Sequence, residues 1–101
     1  MLGFLNEHGP RVIDDGESYV KNNPYPWNVQ QNVLYIESPA GVGYSVAGDE
    51  ADWHTNDMQQ SQDALAALKS FYGKFPEFKE NELFVSGESY GGIYVPYLSW
   101  Q

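Results

Sequence analysis

Hydrophobic positions along the chain alternate between short runs and one long periodic stretch, and each spacing predicts a different element. Arg11-Val12-Ile13 reads as a short strand, ended by the turn signal Asp14-Asp15-Gly16. Asn22-Asn23-Pro24-Tyr25-Pro26 reads as a turn or extended loop, because each proline disfavours helix in the residue before it. Val33-Leu34-Tyr35-Ile36 has no polar alternation, the pattern of a strand covered on both faces. It leads into a glycine-rich loop, residues 38–48. Residues 57–72 carry Ala64, Leu65, Leu68 and Phe71 on one helical stripe. Asn56 is placed to cap that helix, with Gln59 completing a capping box and Gly73 as the stop. Leu83-Phe84-Val85-Ser86 reads as a second buried strand. Residues 91–101 read as a helix by position, although Pro96 removes one hydrogen bond from its interior.

Strand, crossover helix and strand make a βαβ unit with a right-handed connection, hence an α/β fold. Two or three parallel strands and two helices cannot cover both faces and both edges of a sheet. The pattern is that of a slice of a larger sheet, a single incomplete domain over residues 1–101.

The second strand runs directly into Gly87-Glu88-Ser89-Tyr90-Gly91-Gly92. A serine between glycines at a strand-to-helix junction is the layout of a nucleophile elbow, which lifts one hydroxyl clear of the sheet. The glycines permit the tight turn. The following helix aims its free N–H groups at the place where an oxyanion would develop. A serine nucleophile needs a base and an orienting carboxylate, in the order Ser, Asp or Glu, His on this type of fold. Twelve residues follow Ser89, and none is Asp, Glu or His. His8 and His54 precede it and read as structural or surface residues rather than as the base.

Composition narrows the setting. Hydrophobic residues make up 42% of the chain, as in ordinary globular proteins. A net charge of −9 disfavours nucleic acid and anionic membrane as partners. No apolar run is long enough for a membrane-spanning helix, and Met1-Leu2-Gly3-Phe4-Leu5 does not have the form of a signal peptide. Without cysteine there is neither a disulfide nor a thiolate metal site. No cofactor or metal is expected.

Four blocks together resemble the serine carboxypeptidase family. Residues 87–96, Gly-Glu-Ser-Tyr-Gly-Gly-Ile-Tyr-Val-Pro, are similar to its active-serine signature. Asn23-Pro24-Tyr25-Pro26-Trp27-Asn28 resembles its tryptophan-bearing loop, and residues 32–45 resemble a further block, Asn-Val-Leu-Tyr-Ile-Glu-Ser-Pro-Ala-Gly-Val-Gly-Tyr-Ser. Glu7-His8-Gly9-Pro10 matches its Glu-x-Gly-Pro element. The resemblance implies a partial α/β-hydrolase fold and removal of single residues from peptides with a free C-terminal carboxylate. It implies Ser89 as nucleophile and the Tyr90 backbone N–H as an oxyanion donor, with the Tyr90 ring lining the site for the residue before the scissile bond. Glu7 and Glu88 would form a clamp for the terminal carboxylate.

On spacing alone Glu7 reads as an exposed loop acid, whereas Glu88 is held beside the nucleophile by the chain itself. Two neighbouring carboxyls cannot both ionise cheaply, so such a pair shares a proton and can donate a hydrogen bond to an incoming carboxylate. The family's Gly-Gly-Pro-Gly-Cys-Ser-Ser stretch, source of a second oxyanion N–H, would precede Met1, and the catalytic Asp and His would follow Gln101. The chain is therefore expected to be an internal segment with little or no triad activity by itself. The family's usual setting is vacuolar, lysosomal or secreted. Two other readings stand beside the peptidase: a catalytically inactive fragment or pseudoenzyme, and an acyltransferase on the same scaffold. Glu88 favours the peptidase over the acyltransferase, whose members often carry Asp there.

Overall fold

The Asp14-Asp15-Gly16 signal does close a strand. In the computed structural model, which describes residues 2–101, β1 (Arg11–Val12) pairs antiparallel with β2 (Lys21–Asn22). Arg11 lies opposite Asn22, and Val12 opposite Lys21. Gly16 takes a φ of 81°, a left-handed value that glycine adopts without steric cost. Lys21 reaches back across the hairpin to the carboxylates of Asp14 and Glu17. β2 begins one residue before the stretch read as loop and is polar throughout, so no apolar alternation announced it.

The chain divides into two compact units, Met1–Tyr35 and Ile36–Gln101. In the first, a π-helical turn (Gly3–Glu7) packs against β1. It is closed by the His8 N–H donating to the Gly3 carbonyl at 2.9 Å, and Ile13 N–H donates to the Leu5 carbonyl at 2.8 Å. Val12 of β1 is buried.

The second unit is built on two helices that pack together, α1 (Asp57–Lys74) and α2 (Gly91–Trp100). Ser61 and Ala64 of α1 and Gly91 of α2 are buried, and small side chains allow close helix approach. Gln60, also buried, donates from its amide to Ser38 Oγ at 2.9 Å and so ties α1 to the loop after residue 36. In that loop Glu37 accepts from the Tyr44 N–H at 2.7 Å.

Asn56 caps α1 as expected, its side chain accepting from the Gln59 N–H at 2.9 Å. The reciprocal half of the box is not made, because the Gln59 amide turns to Asp63 instead, at 2.9 Å. A complete capping box occurs at Asp49 and Asp52, on the short 3-10 helix Glu50–Trp53. Gly73 is not the stop. The helix continues to Lys74 and ends at Phe75, before Pro76 opens another 3-10 turn. Proline disfavours helical backbone in its predecessor, which outweighs a glycine that can remain helical. Phe71 packs against Phe75 and Phe78 across this end, with ring centroids 5.2 and 5.7 Å apart. Gly73 has open space where a Cβ would sit and no left-handed φ. Gly73→Ala is therefore expected to stabilise the chain by about 0.5–1 kcal/mol, read as a higher urea midpoint with unchanged slope.

The βαβ reading requires correction. Residues 33–36 and 83–86 have no ladder partner among the described residues, and the only sheet is the β1–β2 hairpin. Leu34, Ile36, Leu83 and Phe84 are exposed rather than covered, Phe84 at 84%. A strand is defined by its neighbour, and neither run has one here. α2 does form, with Pro96 inside it.

Candidate active site

The residue types around Ser89 dictate an unusual backbone. Ser89 has a φ of 55°, and it is the one non-glycine residue with positive φ among those described. A side chain there crowds the adjacent carbonyl, so such residues persist only where the surroundings hold them, most often at functional sites. The turn is held by the Gly91 N–H donating to the Glu88 carbonyl at 2.8 Å and the Gly92 N–H to the Ser89 carbonyl at 3.0 Å. Gly87 has to be glycine because a Cβ would stand 2.9 Å from Gly91 Cα and 3.1 Å from a Val95 methyl. Tyr90 caps α2, and its backbone N–H donates to no acceptor among the described residues. Ser89 and Glu88 are exposed, and the Glu88 carboxylate has no partner among those residues.

The Tyr90 ring is tethered at its far end. Its hydroxyl donates to Asp57, 3.1 and 3.3 Å from the two carboxylate oxygens, and its edge meets Tyr94 with centroids 5.0 Å apart. The hydrogen bond to Asp57, followed by that carboxylate's charge, raises the phenol above the usual tyrosine range.

Glu7 ends the π-helical turn of the first unit and is exposed. Its main chain is held from several directions. The Asn23 amide donates to the Glu7 carbonyl at 2.9 Å and to the Gly9 carbonyl at 2.8 Å, while Asn23 Oδ1 accepts from the Tyr25 N–H at 2.9 Å. The His8 ring is near-parallel to those of Trp27 and Tyr35, with centroids 4.3 and 5.4 Å away at 22° and 14°. His8 Nδ1 is 2.8 Å from the Tyr35 hydroxyl, and the Trp27 N–H donates to the His8 carbonyl at 2.9 Å. The tryptophan-bearing loop is thus what fastens the loop bearing Glu7. His8 is a stacked, structural histidine, as read from the sequence. His54 is exposed at the end of a 3-10 helix.

Glu88, Ser89 and Tyr90 therefore share one turn of the second unit, and Glu7 stands on the first. The sequence reading missed Asp57 as a partner of Tyr90 and Asn23 as the brace of the Glu7 loop. Asn23 lay inside a recognised block, whereas nothing local marks Asp57. An open depression of about 630 Å³ lined by Trp27, Val29, Gln30 and Gln31 contains none of these residues and has no chemistry of its own. Among the described residues no acidic, histidine or cysteine cluster could hold a metal ion, and no helix is long and apolar enough to cross a membrane.

The chain is similar to known proteins over its whole length. The family model described as serine carboxypeptidase matches residues 1–101. The lysosomal protective protein of Mus musculus is 50% identical over 97 residues, covering 96% of this chain and 20% of that protein. Serine carboxypeptidase-like 21 of Arabidopsis thaliana is 42% identical over 102 residues, covering 98% of this chain and 21% of the relative. The venom serine carboxypeptidase of Apis mellifera is 40% identical over 99 residues, with coverages of 98% and 21%. The chain spans about a fifth of the length of these relatives. It belongs to the serine carboxypeptidase family.

Proposed function

We propose that this chain is the nucleophile-bearing segment of a serine-type carboxypeptidase, part of one α/β-hydrolase domain. The observation that carries the reading is the strained φ of Ser89 at a glycine-flanked turn opening a helix. Ser89 Oγ attacks the scissile carbonyl once a base takes its proton. The unpaired Tyr90 N–H receives the developing oxyanion, where a fixed donor is worth most because it needs no reorganisation. Glu88, beside the nucleophile, and Glu7 supply the clamp for the substrate's terminal carboxylate. The substrates are peptides with a free C-terminus, and the setting is vacuolar, lysosomal or secreted, in line with the name of the mouse relative.

The test is release of the C-terminal residue from a blocked dipeptide by the full-length product. The free acid should be cleaved and its C-terminal amide should not; equal cleavage of both overturns the carboxypeptidase reading. Glu7→Gln bears on the clamp. KM for the free-acid peptide should rise several-fold in the variant with little change in kcat, as for loss of a binding contact. An unchanged KM removes Glu7 from the clamp.

A further inference from the structure

We propose that Asp57 is a positioning residue for the nucleophile turn, anchoring the Tyr90 hydroxyl and through that ring holding the Ser89–Tyr90 backbone. The proposal rests on reading Ser89 as nucleophile and the Tyr90 N–H as oxyanion donor. Both Asp57 carboxylate oxygens lie within hydrogen-bond distance of one hydroxyl, from a residue 33 positions away. This is the side-chain hydrogen bond that links residues 87–90 to a distant element among the described residues.

The need for such an anchor follows from the backbone. A φ of 55° at Ser89 persists only if the neighbouring structure over-determines it. The turn's own bonds all run forward into α2. Tyr90 is 55% exposed, so packing alone does not immobilise its ring. Asp57 is suited to the task. It opens an 18-residue helix, where negative charge is favourable, and it forms no ion pair among the described residues. Its carboxylate is therefore available to the phenol, whose raised titration accords with the bond.

The geometry is tested by a double-mutant cycle in the full-length protein. Asp57→Ala and Tyr90→Phe should each lower kcat about three- to tenfold, the worth of one ordinary hydrogen bond, with less change in KM. The double variant should be no worse than either single one, because both remove the same bond. Asp57→Asn retains an acceptor oxygen and should recover most of the loss. The phenol carbon of Tyr90, followed by NMR with labelled tyrosine, should titrate at lower pH in Asp57→Ala than in the wild type. A merely structural Asp57 would give additive losses in the double variant and leave the phenol's titration in place, and either result overturns the proposal. The phenol readout does not depend on catalysis. A catalytically silent Ser89 with a shifted Tyr90 titration would overturn the nucleophile reading while leaving the Asp57–Tyr90 bond standing.

Discussion

Replacing Ser89 with alanine is expected to lower kcat of the full-length product roughly a millionfold, the loss typical of removing the nucleophile from a serine triad. The residual rate would come from substrate binding and from the oxyanion donors, which Ser89→Ala leaves in place. A serine-directed phosphonate that labels the wild type at Ser89 should leave the variant unlabelled. Labelling at another serine, or activity within tenfold of the wild type, would remove Ser89 from the mechanism. A second variant separates chemistry from backbone strain. Alanine retains the Cβ that opposes the φ of 55°, whereas glycine does not. The steric penalty is about 1–2 kcal/mol, partly offset by about 0.5–1 kcal/mol of extra unfolded-state entropy for glycine. Ser89→Gly should thus be equally inactive and at least as stable as Ser89→Ala in thermal unfolding.

Gly9→Ala is expected to destabilise the chain by about 3 kcal/mol, at the upper end of overpacking costs. A Cβ on the buried Gly9 would lie 1.8 Å from the Phe4 carbonyl oxygen and 2.8 Å from its carbon. Those are backbone atoms of the π-helical turn, so no side chain can swing aside to relieve the overlap. Gly16 provides the contrast: its φ is left-handed, but a Cβ there meets nothing within 4 Å. Sterics rather than φ decides the effect at Gly9. The loss should be read as a lower Tm and a lower urea midpoint. Because Asn23 braces the carbonyls of both Glu7 and Gly9, the same change should weaken substrate binding. A Tm within a few degrees of the wild type would show that the turn yields.

Where a feature depends on nearby residues, it was legible in the sequence. Asn56 as cap, the Asp14–Gly16 turn, and the glycine spacing around Ser89 all act over a few positions, and each appears where read. The helix end was misplaced because Gly73 tolerates helix while Pro76 forbids its continuation. Residues 33–36 and 83–86 carry the composition of buried strands, yet composition records what a segment can pair with and not whether a partner is at hand. The braces of the site were illegible for another reason. Asn23 to Glu7, His8 to Tyr35 and Asp57 to Tyr90 join positions 16, 27 and 33 apart. Only the folded chain brings such pairs together.

The stacking of His8 with Trp27 makes the loop bearing Glu7 self-reporting. An indole lying flat on an imidazole has an emission that depends on the stack remaining closed. The part of the emission that Trp27→Phe removes is therefore an optical gauge of that loop, readable in real time without any added dye.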